Sequence, residues 1–198
     1  METIVATVDK NMDNEKKYKQ AVDILKSGEV VAFPTETVYG LGAIATDEKA
    51  VQKIFEAKGR PSDNPLIVHI GHQEEVSNYA TGITPEAEKL MAAYWPGPLT
   101  LVLPKIPGVI AENVTPGVDT VGLRMPDHPV ALELLRTLRE PLAAPSANRS
   151  GKPSPTEASH VYEDLKGLIS LILDGGKTGV GVESTVIDMT TTPPAILR

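Results

Sequence analysis

Apolar positions along this chain recur with two different periods, and the switches between them mark out its elements. From Asn14, the residues Tyr18, Ala21, Val22 and Leu25 follow the i, i+3, i+4, i+7 stripe of an amphipathic helix, which Gly28 stops. The run Val30-Val31-Ala32-Phe33 is continuously apolar, as a buried strand is, and Pro34 removes a ladder donor and ends regular pairing. Thr35 to Gly42 then reads as a polar, glycine-punctuated loop, a common way to present side chains to a ligand. Asp47 predicts the N-cap of a helix that carries Val51, Ile54 and Phe55 into Ala57-Lys58-Gly59-Arg60-Pro61.

The same reading continues to the end of the chain. Leu66 to Ile70 predicts a strand, and Thr84-Pro85 a helix start with the hydroxyl as cap and proline at the first helical position. That helix ends at Trp95-Pro96-Gly97-Pro98, before a buried strand from Leu99 to Leu103. Residues 104–119 read as a long excursion of turns, and Thr120 to Arg124 as a strand ending on a cation. Pro129 to Arg139 predicts a helix with Ala131, Leu134, Leu135 and Leu138 on one face. Leu142 to Ala144 is a short strand opening into the loop Pro145 to Ser154, and Thr156 caps a further helix. Ile169 to Leu173 and Thr185 to Asp188 are strands, and Ile4, Ala6 and Val8 alternate loosely as an edge strand would. Interleaved helices and strands with irregular spacing predict an α/β class: one domain over 1–198, with a twisted, mostly mixed sheet flanked by helices.

Composition narrows the functions available. Hydrophobic residues make up 41%, enough for a core, and cysteine is absent, which excludes disulfides, thiolate catalysis and Cys-ligated metal sites. No charged-then-apolar leader and no apolar run of about 20 residues is present, so a soluble, cytoplasmic protein without membrane association is expected. A formal charge of −7 disfavours a general nucleic-acid coat but is compatible with a local basic pocket. Aromatic residues, at 4%, leave few platforms for stacking bare bases.

Polar side chains suited to ligands recur at strand ends. Lys58 and Arg60, two apart across a glycine, can set a point charge and a planar fork on one polyanion, or form a solvated charge pair favoured by the helix dipole. Ser146 and Asn148 in a strand-exit loop suit phosphate oxygens, or serve only local turn bonding. Arg124 can clamp a carboxylate or form a structural ion pair. Two motifs fail. Gly176-Lys177-Thr178 looks like the tail of a phosphate-binding loop, but the required first glycine falls on Leu171. His69 and His72 straddle a strand end without further partners for a metal.

Taken together, Phe33 to Gly42, Lys58-Gly-Arg-Pro-Ser-Asp-Asn-Pro-Leu-Ile-Val-His69, Trp95 to Thr100, Val121-Gly-Leu-Arg-Met-Pro126, Ala144-Pro-Ser-Ala-Asn148 and Gly181-Val-Glu-Ser-Thr185 resemble the YrdC-domain family, the threonylcarbamoyl-AMP synthases. The resemblance covers nearly the whole chain and is closest to the catalytic domain of two-domain members, without their C-terminal domain. It implies a basic concave cavity and the conversion of L-threonine, bicarbonate or CO2, and ATP into threonylcarbamoyl-AMP and pyrophosphate. That product serves threonylcarbamoyladenosine formation in tRNA, so tRNA and downstream threonylcarbamoyl-transfer proteins are implied partners. By the same resemblance Lys58 and Arg60 are catalytic. Arg60, Asn64, Thr120, Ala144, Ser146, Asn148, Ser154 and Arg198 contact ATP, and Thr37, His69, Arg124 and Ser184 contact threonine. Mg2+ is expected to accompany ATP through phosphates and water, with no metal held by the protein itself. The alternative readings are an RNA-binding module, for tRNA or double-stranded RNA, and a related carbamoyl-adenylate enzyme.

Overall fold

The computed structural model describes residues 1–179 and 181–198. The opening alternation forms an edge strand, β1 (Ile4–Thr7), and the helical stripe forms α1 (Glu15–Lys26), with Tyr18, Ala21, Val22 and Leu25 buried. β2 (Val31–Pro34) is buried throughout. The structure then corrects the expected loop: Tyr39–Ile44 is a second buried strand, β3, paired antiparallel with β2 from Pro34 opposite Tyr39 to Val31 opposite Gly42. Only residues 35–38 turn the chain, closed by the Thr35 N–H and hydroxyl, which donate to the Val38 carbonyl at 3.1 and 2.8 Å. Gly42 is there for packing rather than freedom, since a Cβ at that position would meet the Phe33 ring at 2.8 Å.

α2 (Glu48–Lys58) starts where the Asp47 carboxylate accepts the Ala50 N–H, and ends at Gly59 with φ 67°, a left-handed cap that glycine adopts at little cost. β4 (Ile67–His69) follows, then a 3-10 helix (Gln73–Asn78) that the apolar pattern does not signal. α3 (Pro85–Tyr94) is capped by the Thr84 hydroxyl and leads into β5 (Leu99–Pro104). Residues 105–119 are turns, apart from one bridge between Ala80 and Lys105. β6 (Thr120–Arg124), α4 (Pro129–Leu138) and β7 (Leu142–Ala143) match the expected segments. α5 (Ala158–Leu165) is not capped by Thr156: the cap position is Glu157, and the Thr156 carbonyl accepts the Thr178 N–H at 2.8 Å instead. β8 (Leu171–Asp174) and β9 (Thr185–Asp188) match the expected strands, and a further strand, β10 (Ala195–Ile196), follows, too short for its pattern to announce.

Among the described residues the strands form one ten-stranded sheet in the order β1-β8-β2-β3-β7-β4-β6-β5-β9-β10. The pairs β1–β8, β2–β8, β4–β6 and β5–β9 are parallel and the others antiparallel, so the sheet is mixed, as expected. Side chains alternate between its faces. Val31 and Phe33 join α1 and α4 in one core, while Ala32 joins α2 and α5 in the other. Burial on both faces explains why the strands read as continuous apolar runs. Among the described residues no helix is long and apolar enough to cross a membrane.

Candidate functional site

A cavity of about 280 Å³ follows β4 from Asn64, just before the strand, to His69 at its end. The hairpin turn contributes Thr37, the segment after α2 contributes Arg60, and the end of β6 contributes Arg124. Ala144 and Ser146 enter from the loop after β7, and Ser184 and Arg198 from either end of the β9–β10 ribbon. Nine sequence-predicted residues from six segments thus converge: Thr37, Arg60, Asn64, His69, Arg124, Ala144, Ser146, Ser184 and Arg198. Three arginines against one carboxylate, Glu183, make this a basic cavity in an acidic chain.

The deep end is built around Arg124, which is 4% exposed and lies opposite His69 across the parallel ladder. Its Nε donates to the Gly97 carbonyl at 3.2 Å, Nη2 pairs with Glu36, and Nη1 approaches the Thr37 hydroxyl at 3.5 Å. These contacts leave one proton on each terminal nitrogen uncommitted. His69 is equally buried, and its Nδ1 has no hydrogen-bond partner among the described residues. Burial, and then the nearby Arg124, push its pKa down to about 3, so it faces the site as a neutral ring, edge-on to Phe33 at 6.3 Å. The Ser184 hydroxyl shares a 2.8 Å hydrogen bond with that of Thr100 and accepts from Arg198 Nη2 at 3.3 Å.

The shallower end gathers Arg60, Ser146 and Arg198. The Arg60 guanidinium stacks over the Phe55 ring, 5.6 Å from its centroid. Glu183 accepts from Ser154 Oγ at 3.2 Å and from Arg198 Nη1 at 2.8 Å, bridging two segments.

Four predicted residues are not on the cavity wall, and their positions differ in kind. Lys58 is 2% exposed, and its ammonium donates to the Ser146 carbonyl at 2.5 Å, the Asn148 carbonyl at 2.7 Å and Asn148 Oδ1 at 3.2 Å. Asn148 is also fully engaged: Oδ1 accepts from Ser146 Oγ at 2.5 Å, and Nδ2 donates to the Arg149 and Lys152 carbonyls at 3.0 and 2.7 Å. Lys58 and Asn148 therefore form a buried strut beneath Arg60 and Ser146. Ser154 is held by Glu183, and Thr120 lies at the start of β6, two residues before Gly122, which pairs with Ile67.

Sequence reasoning did not select Glu36, Glu183 or Thr100. Glu36 stood in a quoted motif, but nothing in one dimension tells that its partner is 88 residues away. Thr100 sits in an apolar strand pattern and shows no chemistry until Ser184 is placed against it. Among the described residues no group of three or more His, Asp or Glu side chains is arranged to hold a metal.

A family model for the Sua5/YciO/YrdC domain, described as "Telomere recombination", matches residues 23–198. The threonylcarbamoyl-AMP synthase of Pyrococcus abyssi is 56% identical over 99% of this chain and 57% of its own length. That of Bacillus subtilis is 55% identical over 98% of this chain and 56% of its own length. The crystal structure of P. abyssi Sua5 complexed with L-threonine superposes with a TM-score of 0.95 at 56% identity, over 98% of this chain and 57% of that one. The chain thus spans a little over half the length of these relatives.

Proposed function

The chain belongs to the Sua5/YciO/YrdC family, and from that premise we propose that it is an L-threonylcarbamoyladenylate synthase domain. It would form threonylcarbamoyl-AMP and pyrophosphate from L-threonine, bicarbonate or CO2, and ATP. The observation that carries the reading is the division of one cavity between a buried arginine fringed by hydroxyls and a more exposed pair of arginines. The first suits an amino acid that has a carboxylate and a side-chain hydroxyl, and the second suits a triphosphate.

In the proposed mechanism the uncommitted protons of Arg124 hold the threonine carboxylate. Thr37, Ser184 and neutral His69 meet its other polar groups, and a site built to hydrogen-bond a hydroxyl disfavours analogues that lack one. The threonine amine takes up CO2 as a carbamate. A carbamate oxygen then attacks the α-phosphorus of ATP, forming the mixed anhydride as the bond to pyrophosphate breaks. No enzyme nucleophile is needed, so positioning and charge neutralisation supply the acceleration. Arg60, Ser146 and Arg198 face the phosphates, Asn64 and Ala144 the nucleoside side, and Lys58 and Asn148 hold the phosphate-facing loop from below. Any Mg2+ would be held mainly by the triphosphate and water and would neutralise phosphate charge, since among the described residues the cavity wall offers Glu183 alone as a carboxylate. Transfer to tRNA falls to separate proteins.

The deciding experiment follows pyrophosphate release with each substrate omitted in turn. Release that requires threonine, bicarbonate and ATP together, and that falls more than about tenfold in Arg60→Ala, supports the reading. Equal release without threonine overturns it in favour of another carbamoyl-adenylate reaction, and salt-dependent RNA binding without ATP or threonine binding favours an RNA module.

A further inference from the structure

Two side chains cross between the end of α2 and the loop after β7, in opposite directions. Lys58 reaches out of α2 to the carbonyls of Ser146 and Asn148. Arg149 reaches back, its Nη1 donating to the Ala57 carbonyl at 2.7 Å, and between them the Ser150 N–H donates to the Lys58 carbonyl at 2.9 Å. Arg149 is itself anchored, because its backbone N–H donates to Asp164 of α5 at 3.0 Å. Its guanidinium lies so close over Gly59 that a Cβ there would meet Nη2 at 2.7 Å. Gly59 is the hinge residue between Lys58 and Arg60, at φ 67°.

We propose that Arg149 is a positioning residue that locks the Lys58-Gly59-Arg60 turn against the Ser146–Asn148 loop, fixing the spacing between Arg60 and Ser146 on the cavity wall. The last carbonyls of a helix lack intrahelical partners, and Arg149 satisfies one of them at the point where the chain must leave α2 toward Arg60. With Lys58 pulling the other way, the two segments are tied through both backbones and both side chains. Neither Arg149 nor Asp164 lines the cavity, so the effect on a ligand is transmitted through Arg60 and Ser146. The deep end, around Arg124, His69 and Ser184, shares none of these contacts.

This inference rests on the reading that Arg60 and Ser146 meet the phosphates of ATP. The test measures ATP and threonine binding separately by calorimetry on the full chain for wild type, Arg149→Ala and Arg149→Lys. Arg149→Ala is expected to weaken ATP by about fivefold or more and leave threonine within about twofold, with Arg149→Lys recovering most of the loss by donating to the same carbonyl. Equal weakening of both ligands, or unchanged ATP affinity in folded Arg149→Ala, overturns the proposal. Amide exchange at Gly59 and Ser150 separates it from the ATP reading. It should accelerate in Arg149→Ala even if wild type binds no ATP, and unchanged exchange overturns the clasp itself.

Discussion

Glu36, in the turn between β2 and β3, binds Arg124 at the end of β6, 88 residues away in the sequence: one carboxylate oxygen pairs with Nη2 and the other accepts the Asp127 N–H at 2.7 Å. The pair joins the hairpin turn to the end of β6 and to the chain entering α4. Arg124 is almost fully buried, so removing Glu36 alone leaves a desolvated charge uncompensated. Glu36→Ala should destabilise the domain by about 3 kcal/mol, and the pair should show strong coupling in a double-mutant cycle with Arg124→Met. Urea denaturation checks this, with near-additive effects as the contrary result.

Lys58 should give opposite pH signatures in stability and in ligand binding. Burial, and then the neighbouring Arg60, lower its pKa from 10.5 to about 8. Between those values the unfolded chain binds the proton and the folded one does not, so this group's contribution to stability rises with pH across that window. The stability of wild type relative to Lys58→Met should therefore increase from pH 7 to 10, by at most about 3 kcal/mol. ATP affinity should fall over the same window, because a neutral amine donates more weakly to the Ser146 and Asn148 carbonyls and adds no positive charge. Denaturation and calorimetry at matched pH read the two signs, and an ATP affinity that is flat across pH 8 in wild type would remove the role given to Lys58.

What the sequence disclosed depended on how local the cause was. Asp47 and Thr84 cap helices through contacts three residues long, so their roles were legible in place. Val31 and Phe33 were legible because burial on both faces of a sheet leaves a continuous apolar run. The β3 strand was not, because Gly40 and Gly42 resemble turn residues in one dimension, and only the Phe33 ring across the ladder shows why a side chain is excluded at Gly42. Arg60, Arg124 and Ser146 stand out in the sequence as candidate ligand groups by chemistry and family motif, and the fold brings all three to one cavity. The chemistry of Lys58 and Asn148 is equally legible, but their burial as a strut depends on hydrogen bonds spanning 88 to 90 residues. Glu183 is legible only once Ser154 and Arg198 are brought to it.

Gly42 tests the hairpin reading directly. A methyl group there meets the Phe33 ring at 2.8 Å, and Phe33 in turn stands edge-on to His69. Gly42→Ala should cost about 1–3 kcal/mol through overpacking and weaken threonine binding by displacing the His69 ring. A crystal structure of the variant with Phe33 and His69 unmoved, or unchanged thermal stability, would contradict this packing account.

Glu183 offers a variant expected to gain affinity. Its carboxylate occupies Arg198 Nη1 and the Ser154 hydroxyl, two groups assigned to ATP by family resemblance, and both partners of the ion pair are nearly half exposed, at 46% and 42%. An entering triphosphate must compete with that carboxylate for Arg198 and is also repelled by it. Exposed pairs of this kind contribute about 0.2–1 kcal/mol, so breaking this one costs the fold little. Glu183→Gln keeps the shape and a hydrogen-bonding carbonyl but removes the negative charge, freeing Arg198 for phosphate. ATP and tripolyphosphate should then bind about two- to fivefold more tightly, with threonine affinity unchanged and a steeper salt dependence for the phosphate ligands. Weaker ATP binding in this variant would mean that Glu183 contacts the nucleotide or its Mg2+ itself, and would place it among the groups that bind substrate rather than those that must yield to it.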